Sequence, residues 1–418
     1  TSQEYPRIPA RNAGRIRSAM SPPRRPLRRS RRQSPPVLGD DATSEIFQRL
    51  PPDDPASLVR AAAVCKNWRR ILSDAAFARV YREFHGAPPV LGFLHNSCCY
   101  DKHCVSHFVP TTGSSSFRPP GCGDRRDWYV LDSRHGRVLF WTPRKADDFL
   151  VCDPMTGAHW KIPSTHSAVL PSGDDGDEEF GLTWNAAVLC SSSKCCDHLD
   201  CRGGPFLVAL VYSDELKGIT SATVYSSKTR EWSKTVSLDQ PNAISEVEVG
   251  VGHTVLLEDK MYFPCEITTK IVEYNVGEQE LSVINTPYKC RQHHPIDTPF
   301  HGGDQLVLMA ADDGMLLFVG MWEFKLHMCS IEPGAVKWAR CRLIELKPFL
   351  STRTLSRVVS VVGAVEGASV IFVNTEAGLF KIDLKAGRSS KVYGKAFFEK
   401  IIPYTSFYNG VRKLLPGK

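Results

Sequence analysis

The sequence predicts a small all-α module followed by a large all-β domain, read as a β-propeller of about six blades. Three observations carry this reading. A hydrophobic period of three to four residues is confined to residues 37–84. From there to the end, short β-rich runs alternate with clusters of Gly, Asp, Asn and Pro. Within that second part a strand, polar turn, strand unit recurs at roughly the ~50-residue period of kelch-like repeats. The chain of 418 residues is 42% hydrophobic and 23% charged, which is the composition of an ordinary globular protein, and its length admits one small module beside one large all-β unit.

The first 36 residues stand apart from this pattern. They carry ten arginines against one acid, Glu4, while the whole chain has a net charge of +7. The remainder is therefore close to neutral, and the basic pI belongs to the leader. Nucleic-acid binding is expected only weakly and only through this segment. Residues 21–32, Ser-Pro-Pro-Arg-Arg-Pro-Leu-Arg-Arg-Ser-Arg-Arg, lack an apolar period and repel one another, so 1–36 is expected to be a disordered Arg-rich tail. Its composition is similar to a transit peptide or a nuclear-import cluster, and a solvated tail without specific use is the alternative. The expected location is cytoplasm or nucleus, with an organelle left open by the leader. No apolar run approaches the ~18 residues of a membrane span, so no membrane partner is expected. The fourteen cysteines are scattered with no secretory pattern ahead of them, and reduced thiols are expected.

Residues 37–84 read as three helices. Asp40 or Asp41 caps the first, whose apolar face is Ile46, Phe47 and Leu50, and Pro51-Pro52 ends it. Asp54-Pro55 opens the second with proline at the first helical position. Leu58, Ala61, Ala62, Cys65, Trp68, Ile71 and Leu72 then follow at helical spacing on one face. Ser73 or Asp74 opens the third, with Phe77, Val80, Tyr81 and Phe84. A module this small cannot bury its own apolar face, so a partner or a neighbouring domain is expected to cover it. Its charges balance, seven basic against seven acidic, so apolar burial rather than steering is expected to drive docking.

The β domain, residues 85–418, contains three readable hairpins. Trp128 to Leu131 and Arg137 to Trp141 flank a polar turn, as do Val255 to Leu257 with Met261 to Phe263, and Leu306 to Met309 with Leu316 to Val319. Aligning the repeated unit on Asp153, Ser226, Asn275, Glu332 and Asp383 gives steps of 73, 49, 57 and 51 residues. Each copy is expected to be the outer hairpin of a four-stranded blade. The expected count is six within a range of five to seven. Phe93-Leu94 is expected to pair with Phe407-Tyr408 and close the ring. A two-sheet sandwich is the rival architecture.

The helical blocks Glu45-Ile-Phe-Gln-Arg-Leu-Pro51, Leu58-Val-Arg-Ala61, Val64-Cys-Lys-Asn-Trp-Arg-Arg70 and Ser73-Asp-Ala-Ala-Phe77 resemble the F-box in order and spacing. Downstream, Pro88-Pro-Val-Leu-Gly-Phe93, Leu131-Asp-Ser-Arg-His-Gly136 and Cys152-Asp-Pro154 are similar to segments of plant F-box proteins with a C-terminal F-box-associated β domain. The resemblance implies a substrate-recognition subunit of an SCF-type ubiquitin ligase. Its module would bind a Skp-type adaptor, and through it a cullin, while the β domain holds an unidentified target protein. By match to the motif, Leu38, Ile46, Leu50, Pro51, Leu58, Val64, Cys65, Trp68, Arg69 and Phe77 would be the partner-binding or module-core positions. The match departs at its start, where the family has Leu-Pro then Asp-Asp-Leu-Leu and this chain has Leu38-Gly39 then Asp40-Asp41-Ala42-Thr43. Two lost leucines would cost about 2 to 5 kcal/mol each if fully buried, which makes a non-ligase scaffold with a degenerate F-box the alternative.

No residue is expected to be catalytic. The chain lacks the P-loop, the Gly-x-Ser-x-Gly elbow and the His-Glu-x-x-His zinc motif, and a propeller fold alone licenses no activity, although a propeller enzyme with an incidental helical leader is a further alternative. The acidic run at 174–179 lacks the spacing of a calcium loop. Cys195-Cys196-Asp197-His198-Leu199-Asp200-Cys201, Cys98-Cys99 with His103, Cys104 and His107, and His293-His294 with His301 lack paired Cys-x-x-Cys spacing. They are read as loop and strand residues, with no metal and no cofactor expected. Trp128, Trp141, Trp184, Trp232 and Trp338 are read as blade packing, some of them open to a role at a rim.

Overall fold

In the computed structural model the described residues are 38–98, 104–111, 123–142, 148–163, 182–191, 196, 198, 201, 203–214, 216–239, 247–265, 270–286, 307–311, 313–322, 324–335, 337–339, 342–351 and 359–407. The readings of the Arg-rich tail, the acidic run at 174–179, the histidines at 293–301, and of Cys99, His103, Cys195 and Tyr408 fall outside them. The chain divides into two units, residues 1–39 and Asp40–Lys418. The described helices and strands belong to the second.

Four helices form where three were expected: α1 (Asp40–Gln48), α2 (Pro55–Val64), α3 (Lys66–Leu72) and α4 (Ala75–His85). The expected second helix breaks at Cys65, whose backbone is extended (φ −155°, ψ 165°) and whose Sγ accepts the Trp68 amide at 3.4 Å. Cys65 thus caps α3 and lies on the surface instead of on the apolar face. Asp54 precedes Pro55 as expected, but its carboxylate accepts from the Ser57 hydroxyl (2.5 Å) and makes no hydrogen bond to the helix backbone. Asp74 does cap α4, accepting from the Ala76 amide at 3.0 Å. Asp40 begins α1 but turns to α3, where Asn67 donates to it at 2.7 Å and Arg70 pairs with it. No described helix is long and apolar enough to cross a membrane.

The β domain is a six-bladed propeller. Blade I holds β1 (Val90–Cys98), β2 (Cys104–Pro110) and β3 (Arg125–Arg126). Blade II holds β4 (Tyr129–Arg134), β5 (Arg137–Thr142), β6 (Asp148–Cys152) and β7 (His159–Ile162). Blade III holds β8 (Leu182–Cys190), β9 (Phe206–Asp214), β10 (Ile219–Ser226) and β11 (Glu231–Trp232), with β12 (Val236–Asp239) also paired to β10. Blade IV holds β13 (Val255–Leu257), β14 (Lys260–Pro264), β15 (Lys270–Asn275) and β16 (Glu280–Asn285). Blade V holds β17 (Val307–Ala310), β18 (Leu316–Trp322), β19 (Lys325–Ile331) and β20 (Arg342–Glu345). Blade VI holds β21 (Val359–Ala364), β22 (Val370–Thr375), β23 (Gly378–Asp383) and β24 (Arg388–Tyr393), and β25 (Ile402–Thr405) returns to blade I beside β1.

All five repeated units are outer hairpins: their turns join β6 to β7, β10 to β11, β15 to β16, β19 to β20 and β23 to β24. Burial falls from the inner strands, with β17 fully buried, to the outer ones, with β24 almost wholly exposed. Ring closure differs from expectation by a few residues. Phe93 and Leu94 pair with Pro403 and Ile402, not with Phe407-Tyr408. Phe407 instead reaches the helices, its ring 6.2 Å from that of Tyr81 and nearly perpendicular to it.

Six apolar clusters fill the seams, one between each pair of neighbouring blades. Trp141 meets Trp184 edge-on across the seam of blades II and III at 4.9 Å. Trp232 and Trp338 each donate their indole N–H to a carbonyl of the preceding blade, Pro163 at 2.8 Å and Asn285 at 2.6 Å. These tryptophans therefore hold seams by excluding water, and Trp232 and Trp338 also satisfy their donors, whereas the Trp141 indole N–H is buried without a hydrogen-bond partner. The seam of blades I and II continues without a break into the helical module, joining Leu91, Phe108 and Tyr404 to Phe47, Leu58 and Tyr81. The neighbouring domain, on this side, is the cover the module required. The expectation of reduced thiols fails in two places, for Cys104 and Cys329 are disulfide-bonded; Cys65, Cys152, Cys190, Cys196 and Cys201 are free.

Candidate functional site

The ten positions singled out in the module do not share one environment. Leu58 and Phe77 are buried and belong to its core. Trp68 is half-buried, with its ring edge-on to Phe47 at 5.1 Å, and Leu50 packs against the same cluster. Leu50 also offers its carbonyl to the Tyr81 hydroxyl at 2.9 Å, which ties the end of α1 to α4. Ile46, Pro51, Val64, Cys65 and Arg69 are exposed, as is Leu38. Ile46 keeps 50% of its surface open and Val64 keeps 64%. Exposed Ile and Val beside a filled core are what the propeller has left uncovered, and they are apolar residues of this set open to another subunit. At the unusual start of the motif, Ala42 is exposed and Thr43 is buried. Only one of the two missing leucines therefore faces a core, and the cost of a lost leucine applies at Thr43 alone.

A second site lies on the propeller axis. A cavity of about 510 Å³ opens among the first strands of the blades and the turns beside them. Its wall carries a charged network that no linear motif contains. The β4 strand presents Asp132 and Arg134, whose side chains are 10% and 2% exposed. Arg134 donates to Asp132 at 2.9 Å, to the Thr254 carbonyl at 2.9 Å, and to Glu366 in the β21–β22 turn. Asp132 accepts the Val188 amide at 2.9 Å, and Glu366 accepts the Leu256 amide at 3.0 Å. The guanidinium thereby joins blades II, IV and VI, and Asp132 extends the network to blade III. Burial pushes the Glu366 carboxyl above its usual range while Arg134 pulls it back; because the side chain keeps 31% exposure, water tempers that push.

Beside the network, the His253 Nε2–H donates to the Ile401 carbonyl at 2.8 Å. A Cβ at Gly363 would sit 2.7 Å from Ile401 and 3.2 Å from the His253 ring, so only glycine lets β21 pass this close. Burial, with Lys400 and Arg134 adding like charge, lowers His253 to about 3. The enclosed Lys400 Nζ has no hydrogen-bond partner, and burial lowers it to about 8 against the opposing pull of Asp132 and Glu399. The arrangement offers ion pairing and hydrogen bonding at a concave mouth.

The β8–β9 loop supplies a further group at the same wall. Cys190, Cys196, His198 and Cys201 place one ligand atom each within 4.8 Å of all the others. The Cys-rich segment stands out in the sequence, but Cys190 does not, because it closes the strand β8 rather than belonging to the loop. Its signal is the pairing of Cys190 with Phe206 at the end of the hairpin, which no spacing rule contains.

Comparison with known proteins follows the division into helices and propeller. Residues 129–409 match the family described as F-box protein AT5G49610-like, beta-propeller, and residues 40–83 match the family described as F-box-like. No curated protein matches the chain. Similar solved structures include a nidogen/laminin complex, at 8% identity and a TM-score of 0.39 over 75% of this chain and 98% of that one. They also include the WD40 domain of SCAP from fission yeast, at 10% identity and a TM-score of 0.33 over 67% of this chain and 57% of that one.

Proposed function

Because the chain belongs to the plant F-box proteins that carry an AT5G49610-like β-propeller, we propose that it is the substrate-recognition subunit of an SCF-type ubiquitin ligase. In this reading the helices bind a Skp-type adaptor, and through it a cullin, while the propeller holds a target protein. The observation that carries the adaptor half is the open apolar surface of Ile46 and Val64 on a module whose core is otherwise filled. The propeller supplies the target half, with a concave axial mouth bearing Asp132, Arg134, Glu366 and Lys400. The chain contributes proximity, raising the effective concentration of a target lysine near a conjugating enzyme bound elsewhere in the assembly. No residue of this chain acts as a nucleophile.

The test is co-purification and calorimetry of the full chain with a recombinant Skp-type adaptor. The wild type binds, and Ile46→Asp with Val64→Asp weakens binding without lowering the melting temperature, since both side chains are exposed. Complete burial of an aliphatic side chain is worth about 1.5 to 3 kcal/mol, so the half-open Ile46 and Val64 each supply roughly 1 to 2 kcal/mol at such an interface. Removing both therefore costs at least ~30-fold in affinity. A wild-type chain that does not bind the adaptor favours the scaffold reading, for which the buried Thr43 in a leucine position is the structural argument.

A further inference from the structure

We propose that Cys190, Cys196, His198 and Cys201 bind one structural Zn²⁺ ion that fastens the β8–β9 loop to the end of β8, where it packs beside blade II. The four come from the last residue of β8 and from the loop leading into β9, and their ligand atoms all lie within 4.8 Å of one another. Cys196 Sγ is 3.2 Å from Cys201 Sγ, and His198 Nδ1 is 3.4 Å from Cys201 Sγ. Tetrahedral zinc with its ordinary bond lengths sets sulfurs about 3.8 Å apart and sulfur from nitrogen about 3.5 Å. Along the two measured edges the cluster is about 0.1 Å short of the sulfur–nitrogen spacing and about 0.6 Å short of the sulfur–sulfur spacing. All three cysteines are free, and three converging sulfurs cannot all be satisfied by one disulfide.

Two surrounding features fit a bound ion rather than a chance cluster. Zinc held by three thiolates and a neutral imidazole carries one net negative charge. Directly beside it lies Arg137, a fully buried guanidinium. Its Nη2 donates to the carbonyls of Cys201 and Gly204, while Nε and Nη1 have no hydrogen-bond partner. Asp153 and the face of the Phe206 ring, 5.6 Å away, offset part of this buried charge; three neutral thiols add no opposing charge, whereas a zinc thiolate centre adds one beside it. The second feature is His135. Its ring stacks on His198 at 4.0 Å and 9°, and its Nδ1 accepts the Cys190 amide at 3.2 Å. His135 and Gly136 both have positive φ, 54° and 73°, the geometry of a two-residue hairpin turn. That turn carries the stacked ring to the ligands from the neighbouring blade and fixes their orientation, as partners around metal ligands commonly do.

The donor set selects the chemistry. Three soft sulfurs and one imidazole suit zinc, and four protein ligands leave no open position for substrate, so the ion is structural. What it holds is the β8–β9 connection, whose ends already meet where the Ser191 amide donates to the Pro205 carbonyl at 3.2 Å. Cys196, His198 and Cys201 also line the axial cavity, so the ion would shape its wall.

The test is metal analysis of the full chain purified without chelator. The expected result is about one zinc per chain, set by a single four-ligand site. Replacement by Co²⁺ should give the absorption of tetrahedral cobalt with thiolate charge transfer. Cys201→Ser loses the metal, Cys65→Ser keeps it, and His198→Cys keeps it with an altered cobalt spectrum. Should Cys201→Ser fail to fold, the wild-type metal content and the His198→Cys spectrum decide between the outcomes. A wild type without stoichiometric metal, zinc retained in Cys201→Ser, or an intact mass showing a Cys196–Cys201 disulfide overturns the proposal.

Discussion

Arg134→Met removes the cation that links blades II, IV and VI across the axis and nearly keeps the shape of the side chain. Asp132 then keeps the Val188 amide and Glu366 keeps the Leu256 amide, but neither carboxylate retains the guanidinium. Breaking a buried pair by deleting one partner costs about 3 to 5 kcal/mol. Since Glu366 is 31% exposed and Asp132 only 10%, the lower end applies, about 3 kcal/mol. Spread over the unfolding entropy of a domain this large, that is a fall in melting temperature of about 4 °C.

The pH dependence identifies the cause. Glu366 in the folded protein already holds its proton to higher pH than an unfolded glutamate, and losing Arg134 pushes it higher still. Between the unfolded and folded values the native state binds more protons, so stability falls as pH rises through that window. The deficit of Arg134→Met relative to wild type is therefore largest at neutral pH and shrinks on acidification towards the unfolded glutamate value. Adding Glu366→Gln to Arg134→Met recovers part of the loss. Denaturant melts followed by tryptophan fluorescence across about pH 5 to 8, a range set by the stability of typical domains, measure all three. A deficit below about 1 kcal/mol at neutral pH, by the usual threshold for a surface pair, or one indifferent to pH, refutes the reasoning.

Three further outcomes are expected. Trp68→Ala lowers the stability of the module by about 2 to 3 kcal/mol, below the fully buried range because the ring is half open; differential scanning fluorimetry reads this, and an unchanged melt would mean that the contact with Phe47 carries no weight. Thr43→Leu supplies the apolar side chain that the motif elsewhere has and raises stability by about 1 kcal/mol, measured by urea titration. His253 stays neutral in the fold down to about 3, so the unfolded chain takes up a proton first; the stability it contributes above its ordinary value of 6.5 is lost as pH falls towards 3, and His253→Gln flattens that acid limb in pH-dependent melts.

Much of the fold is legible in the sequence because it is local. All five outer hairpins and the three inner ones follow from alternating runs and turn residues, whose signal spans ten or so positions. The helix break at Cys65 is not legible, because the apolar spacing runs straight through it; an extended residue there costs nothing in pattern and is chosen by packing. Ring closure is readable only to within a few residues, since both Ile402–Thr405 and Phe407 are apolar and the register on β1 alone separates them. Among the candidate residues, the motif marks the positions but not their sides. Leu58 and Phe77 turn inward, while Ile46 and Val64 are left open, a division set by which helical faces the seam of blades I and II covers.

What the amino-acid order determined alone is the sequence of elements: a charged leader, a helical module and a run of hairpins long enough for six blades. Periodicity and turn chemistry act between near neighbours and can be read one segment at a time. What only the tertiary structure decided is which distant side chains meet. Arg134 and Glu366 lie 232 positions apart, and Cys190 joins His198 and Cys201 only after the β8–β9 hairpin has closed beside the turn at His135. Closing the ring brings such pairs together at one axis, and no local pattern records a contact made by closure.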